Sequence, residues 1–219
     1  GKTYLINKFA DEYFKQKIYI NLFELSGKQF LECYEQAIAW KPGTKRPEHP
    51  LHDAFLLYEP SFQDTEDTVI IIDEIQESAE VYNRIREFTR QFKCRFIVTG
   101  SYLGRVYDSE FRFSSGDVTK LTIYTLSYEE FLRAFDESLY EQYCELAIGK
   151  CEKDIYASLK QIYDVYCQIG GYPKVVETYL KTKNIQLAQG ELVKIIDTFI
   201  NESIRYFTDI LDSRVFTEI

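Results

Sequence analysis

Hydrophobic patterning divides the chain near residue 126. In the first part, short apolar runs that suit buried strands alternate with stretches whose apolar residues recur at helical spacing. Strands are predicted at 17–25, 68–73, 95–100 and 119–126, and helices at 1–16, 30–40, 51–58 and 78–92. Such alternation is typical of a parallel α/β sheet.

After Ser127 the pattern is helical throughout. Ser127 is followed three residues later by Glu130, which predicts a capping box at a helix start. Further on, Gly170-Gly171 before Tyr172-Pro173 predicts a helix end followed by a turn. Helices are predicted at 128–135, 137–147, 153–169, 173–181 and 185–210. We therefore expect an α/β core over residues 1–126 and an all-helical region over residues 127–219.

Composition narrows the class of protein. Hydrophobic residues make up 45% and charged residues 28%, a globular profile. The net charge of −9 argues against a nucleic-acid coat or a binder of anionic membranes. No apolar run approaches the ~20 residues of a membrane-spanning helix. The five cysteines form no CxxC pair, so we expect a reducing, cytoplasmic location without disulfides or a zinc site.

The first residues with recognisable chemistry are Gly1-Lys2-Thr3, directly before an amphipathic helix. They match the end of the phosphate-binding loop GxxxxGK[ST]. In that loop, backbone N–H groups favour an anion, the lysine reaches the β- and γ-phosphates, and the hydroxyl ligates Mg²⁺. By itself GKT also fits an ordinary helix start. The first five loop residues are absent, and we expect the chain to be a fragment.

A second element is the apolar run 69–72, which ends in Asp73 and Glu74. Ligands of open α/β sheets bind at the carboxyl ends of the strands. Asp73 is predicted to belong to the Mg²⁺ shell and Glu74 to polarise the attacking water. Alternatively, the pair merely ends a strand and caps a helix, a reading that the GKT sequence makes less attractive.

A third element is the predicted strand that ends in Thr99-Gly100-Ser101. In P-loop ATPases with added strands, the strand beside the Asp-Glu strand carries a polar residue that contacts the γ-phosphate or its water. Thr99 and Ser101 are the candidates here. The alternative is a plain turn of small residues.

Together these segments resemble a known family. GKTYLINKF, VIIIDEIQES, FIVTGSYLGR, YTLSYEEFL and GGYPKVVETYL occur in this order. They are similar to the AAA-type ATPases of bacteria and archaea that carry a C-terminal domain of unknown function. The resemblance implies a P-loop NTPase core with a parallel sheet flanked by helices, followed by a helical lid region. It also implies binding of ATP with Mg²⁺, and hydrolysis. The C-terminal domain would begin after this chain ends.

The partners are less defined. Relatives often assemble so that a neighbour supplies an arginine, and many carry an arginine after a glycine where Asp117 follows Gly116 here. Arg105 and Arg112 are the remaining candidates. A DNA or protein client stays open, and no membrane partner is expected. The rival function is a nucleotide-dependent switch or scaffold with little hydrolysis. Glu74 favours turnover, and the carboxylate-lysine cluster of a nuclease is not seen.

Overall fold

Six consecutive buried residues form the central strand of the sheet. This strand, β2, spans Thr68–Asp73 and is buried at every position, as a strand covered on both faces requires. It pairs in parallel with β1 (Gln16–Asn21) on one side and with β3 (Arg95–Val98) on the other. The predicted parallel sheet is confirmed.

The computed structural model describes residues 1–39, 49–100, 118–147 and 153–207. The chain forms two compact units, Gly1–Leu121 and Thr122–Ile219. The predicted boundary after residue 126 lies a few residues beyond this division. Among the described helices, none is both long and apolar enough to cross a membrane.

The two faces of the sheet bury different side chains. Helix α1 (Lys2–Tyr13) covers one face, where its Ala10 packs with Val69 and Ile71. Helices α2 (Leu25–Ile38) and α3 (Pro50–Tyr58) contribute to the cluster on the other face, which contains Ile70 and Ile72. Because strand residues alternate between faces, odd-numbered positions of β2 face α1.

The first predicted strand is too long at its carboxyl end. Strand β1 stops at Asn21, whose side-chain Oδ1 accepts a hydrogen bond from the backbone N–H of Phe23 at 3.0 Å. An Asn side chain that bonds the backbone two residues on produces a turn. The chain therefore reverses here, and α2 begins at Leu25 rather than near residue 30.

The predicted helix over 78–92 is two helices. Helix α4 spans Ala79–Asn83, helix α5 spans Ile85–Gln91, and a single-turn 3₁₀ helix (Ile75–Glu77) precedes them. Arg84 lies between the two helices at φ −90° and ψ −1°. Its N–H bonds to the carbonyl of Val81, three residues back, and this 3₁₀-type bond interrupts the α-helical ladder.

The predicted strand at 119–126 is wrong. Residues 118–127 lie in neither a helix nor a strand. Leu121 and Tyr124 are each 83% exposed. The segment has the β-branched and aromatic composition of a strand, but that preference depends on a neighbouring strand and a buried face. Neither is present for this segment among the described residues.

From Tyr128 onward, the described residues form helices joined by short turns, as predicted. The helices of this second unit are α6 (Tyr128–Phe135), α7 (Glu137–Ala147), α8 (Lys153–Ile169), α9 (Pro173–Thr182) and α10 (Ile185–Phe207). The predicted capping box is confirmed, because Ser127 Oγ accepts from the N–H of Glu130 and Glu130 accepts from the N–H of Ser127. Phe131, Val176 and Tyr179 lie in its core.

The two consecutive glycines of this unit have separate roles. Gly170 has a φ of 69°, in the left-handed region that favours glycine. A Cβ on Gly171 would lie 2.0 Å from the carbonyl oxygen of Leu126. The N–H of Leu126 donates to the Gly171 carbonyl at 2.8 Å, and the Tyr166 hydroxyl donates to the Leu126 carbonyl at 2.7 Å. The segment before α6 is thus bound closely to the turn after α8.

Candidate functional site

The carboxyl edge of the sheet lies beside the start of α1. Gly1 precedes the helix, and its carbonyl accepts from the N–H of Leu5 at 3.3 Å. The N–H groups of a helix's first turn have no partner within the helix and carry a partial positive charge. This end of α1 therefore offers donors to an anion, as the GKT sequence predicts.

Thr3 and Asp73 meet directly. The Thr3 hydroxyl donates a hydrogen bond to Asp73 Oδ2 at 2.9 Å, across a separation of 70 residues. Asp73 is the last residue of β2 and is only 3% exposed. Its other oxygen, Oδ1, accepts from the backbone N–H of Glu74 at 3.0 Å. Burying a carboxylate is costly unless it is hydrogen-bonded, and these donors meet that requirement.

Tyr19 also reaches Asp73. Its hydroxyl donates to Asp73 Oδ2 at 2.8 Å. Burial, and then this hydrogen bond, raise the pKa of Tyr19 well above its usual value, so the phenol stays protonated and donates. The sequence reasoning missed this residue. The signal available was its place in β1, where Ile18 and Ile20 belong to the opposite face.

Glu74 occupies an uncommon backbone conformation. Its φ of 54° and ψ of 46° are left-handed, which is rare for a residue other than glycine and concentrates at functional sites. The chain thus leaves the pleat immediately after Asp73. The half-buried carboxylate of Glu74 accepts a hydrogen bond from the side-chain amide of Gln76, a second residue that the sequence reasoning missed.

Thr99 follows β3 and extends its pairing with β2. Its N–H donates to the carbonyl of Ile72 at 2.9 Å, and its carbonyl accepts from the N–H of Ile75 at 3.0 Å. Thr99 is 8% exposed, and its buried hydroxyl has no hydrogen-bond partner among the described residues. An unsatisfied buried hydroxyl costs about 1–3 kcal/mol. Such an atom is suited to a ligand that supplies the missing partner.

Lys2 connects the helix start to the same edge. Its ammonium donates to the carbonyl oxygen of Gly100 at 3.1 Å. The structure therefore brings the GKT segment next to the ends of β2 and β3. We call the following residues the strand-end cluster: Lys2, Thr3, Tyr19, Asp73, Glu74 and Thr99. The predicted site residue Ser101, and the arginine candidates Arg105 and Arg112, lie outside the described residues.

The ligand atoms of the cluster fit Mg²⁺. This ion prefers oxygen ligands and is usually held by one or two carboxylates together with substrate phosphates, rather than by a protein-only cage. Thr3 and Asp73 supply a hydroxyl and a carboxylate in mutual contact. In the described part of the chain, no group of three or more His, Cys, Asp or Glu side chains could hold a metal alone.

The parallel sheet, the helix after GKT and the buried aspartate at the end of the central strand define a P-loop NTPase core. A comparison with known families agrees, because residues 1–132 match the model of a family described as an AAA domain. The match covers more than half of the 219 residues, and the chain belongs to this AAA-domain family. Membership indicates nucleotide binding. No curated protein matches the chain, and no solved structure does.

Proposed function

We propose that this chain binds Mg²⁺-ATP at the strand-end cluster and hydrolyses it. The observation that carries the proposal is the hydrogen bond from Thr3 to Asp73. It joins the residue that follows the lysine of the phosphate-loop sequence to the buried carboxylate of the central strand. No packing requirement explains a buried carboxylate at this position, whereas a Mg²⁺-nucleotide site requires one.

The binding roles follow from the chemistry of each group. Gly1 and the first turn of α1 present backbone donors to phosphate oxygens. Lys2 exchanges its neutral carbonyl partner, Gly100, for a charged phosphate, because hydrogen bonds between ionised groups are roughly twice as strong. Thr3 and Asp73 hold Mg²⁺, which neutralises negative charge on the phosphates.

The roles in hydrolysis fall to residues after the strands. Glu74 accepts a proton from the attacking water, acting as a general base. The unpartnered hydroxyl of Thr99 donates to the γ-phosphate or to that water, which would satisfy its hydrogen-bonding capacity. Ser101 stays a prediction as a second polar contact.

The experiment compares Lys2→Ala with Lys8→Ala in the full-length protein. Lys8 is an exposed lysine of the same helix, so both variants lose one positive charge from α1. We expect Lys2→Ala to weaken Mg²⁺-ATP binding about 10- to 100-fold, the value of a hydrogen bond to a charged group. Calorimetry measures the affinity. Unchanged affinity in a folded Lys2→Ala variant would refute the phosphate-loop assignment.

A nucleotide-dependent switch without turnover is the second candidate function. One contact favours it: the Glu74 carboxylate is already bound by the amide of Gln76 and so is not directed only at water. A switch needs Lys2, Thr3 and Asp73 but not a general base. Turnover by the wild type, compared with Glu74→Gln, separates the two functions.

Proposals about the type of protein, its location and its partners rest on the resemblance of the sequence to AAA-type ATPases. We propose that the full-length protein is of the bacterial and archaeal type with a C-terminal domain of unknown function, that it is cytoplasmic, and that a neighbouring copy supplies an arginine in trans. A DNA or protein client stays open. Measuring ATP hydrolysis by the full-length protein with and without DNA tests the DNA client.

A further inference from the structure

Tyr19 contacts the carboxylate at the centre of the strand-end cluster, yet none of the roles above uses it. Its hydroxyl lies 2.8 Å from Asp73 Oδ2, the same oxygen to which Thr3 donates at 2.9 Å. Glu74 donates its backbone N–H to the other oxygen at 3.0 Å. Three donors from three segments therefore determine the orientation of this carboxylate.

The position of Tyr19 follows from the sheet. In the parallel register, Asn21 of β1 lies opposite Asp73, so Tyr19 lies one pleat earlier on the neighbouring strand. Its ring packs against the cluster of Ala10, Val69 and Ile71 beneath α1. A ring held on this face directs its hydroxyl along the face to the last residue of β2. The ring supplies the packing, and the hydroxyl supplies the contact with Asp73.

We propose that Tyr19 is a positioning residue that holds the Asp73 carboxylate against Thr3 and thereby raises the affinity of the site for Mg²⁺. A threonine hydroxyl has one proton and two lone pairs. When Asp73 accepts the proton, the lone pairs of Thr3 remain available to the metal. A carboxylate that turned away would lose this arrangement and its own approach to the ion.

The size of the effect follows from known metal sites. Partners that orient the ligands of a metal typically change its affinity by about 10- to 100-fold. The inference rests on the proposed function, because it assumes that Asp73 and Thr3 hold Mg²⁺. It adds that a residue of β1, outside the phosphate-loop and Asp-Glu segments, determines how tightly the ion is bound.

The test is Tyr19→Phe in the full-length protein, which retains the ring and removes only the hydroxyl. Binding of a fluorescent ATP analogue is measured across a Mg²⁺ titration and again in EDTA. We expect the half-saturating Mg²⁺ concentration to rise about tenfold or more. Affinity in EDTA should stay at the wild-type value. Tyr58→Phe is the matched control, because Tyr58 is a half-buried tyrosine of the cluster on the opposite face.

A purely structural role predicts different results. It would weaken binding equally with and without Mg²⁺, and that result would overturn the proposal, as would an unchanged Mg²⁺ dependence in Tyr19→Phe. Incorporation of 4-aminophenylalanine at position 19 returns an N–H donor to the site of the hydroxyl. It should restore the Mg²⁺ dependence, and failure to restore it in a folded protein also counts against the proposal.

The same measurements separate this inference from the proposed function. If the wild type binds no nucleotide, or if Lys2→Ala binds as tightly as the wild type, the proposed function fails and the role of Tyr19 fails with it. If the wild type binds, Lys2→Ala does not, and Tyr19→Phe responds to Mg²⁺ as the wild type does, only the role of Tyr19 is wrong.

Discussion

The α/β unit and the helical unit bury different kinds of side chain. In the α/β unit, Thr68, Asp73 and Thr99 are buried, and all three belong to strands or follow one directly. The buried residues of the helical unit, over its described part, are apolar or aromatic. Its ion pairs, such as Arg133 with Glu137 and Lys194 with Glu191, join residues three or four positions apart at the surface.

This difference indicates that the buried polar groups of the α/β unit serve a ligand, whereas the buried side chains of the helical unit serve packing. Exposed ion pairs contribute about 0–1 kcal/mol each, so the helical unit depends mainly on its apolar and aromatic contacts. Phe131, for example, packs against Tyr166 at a ring-centroid distance of 5.5 Å and against Tyr179 at 6.2 Å. The buried polar atoms of Asp73 and Thr99 would be a liability in such a core. We therefore expect substitutions at the strand-end cluster to alter ligand chemistry and substitutions at helical contacts to alter stability.

The largest expected effect is at Glu74. Glu74→Gln preserves the shape of the side chain and removes the base, and loss of a positioned general base typically costs ~10²–10⁴-fold in rate. Binding of Mg²⁺-ATP should persist, because neither Asp73 nor Thr3 changes. Steady-state hydrolysis and ATP affinity of the full-length protein are the measurements.

Glu80→Gln is the control for this substitution, since Glu80 is an exposed glutamate in the first turn of α4. It should hydrolyse ATP at close to the wild-type rate. A wild-type rate in Glu74→Gln would show that Glu74 is not the base. Equally negligible turnover in the wild type and in Glu74→Gln would support the nucleotide-dependent switch.

A smaller effect is expected at Asp73, where the substitution should lower the affinity for Mg²⁺-ATP. In Asp73→Asn, the neutral amide has one oxygen acceptor where the carboxylate accepts from Thr3, Tyr19 and the N–H of Glu74. The affinity for Mg²⁺-ATP should fall about 10- to 100-fold, as hydrogen bonds to a charged group contribute about 1.5–3 kcal/mol. Titration calorimetry with and without Mg²⁺ measures it. An equal affinity for Mg²⁺-ATP in the variant and the wild type would remove Asp73 from the metal site.

The smallest effects are on the stability of the helical unit. Gly171→Ala places a Cβ 2.0 Å from the Leu126 carbonyl oxygen, so backbone must shift. Overpacking of this kind typically costs about 1–3 kcal/mol. Thermal unfolding should show that Gly171→Ala is less stable than the wild type. If the variant is as stable as the wild type, the segment before α6 does not approach this turn so closely.

Gly190→Ala provides the matched control within the same unit. Gly190 lies inside α10, and apart from the adjacent backbone of that helix a Cβ there meets no described atom within 4 Å. Alanine is favoured over glycine in a helix interior by about 1 kcal/mol, so this variant should be slightly more stable than the wild type. Both variants replace glycine with alanine, but stability should fall in Gly171→Ala and rise in Gly190→Ala.

Much of the fold could be predicted because its signals are local. The apolar run that forms β2 is long enough to indicate a buried strand. Ser127 and Glu130, three residues apart, are enough to predict the capping box at the start of α6. The break at Arg84 was not predictable from the apolar stripe that continues across it. The false strand at 119–126 shows the converse, since the segment has the composition of a strand but pairs with no strand among the described residues.

The candidate site shows the same division between local and non-local information. Lys2, Thr3, Asp73, Glu74 and Thr99 could be named from the sequence, because each belongs to a short segment whose order and residue types match a known chemistry. Gly1 was also named, and the structure places it directly before α1. Their roles in binding and hydrolysis stay predictions. Tyr19 and Gln76 were not named. The alternation along β1 indicates which face Tyr19 shares, but no local pattern shows that its hydroxyl reaches Asp73 or that the amide of Gln76 reaches Glu74.

The sequence alone determined the class of this protein: a parallel α/β core that begins with GKT, followed by helices. Only the tertiary structure decided which side chains share one carboxylate. Asp73 Oδ2 accepts from residues 70 and 54 positions away along the chain. Those contacts depend on the parallel register of β1 with β2 and on the docking of α1 over one face. Both arise from burial of apolar side chains across the whole unit, which no short segment of sequence can specify.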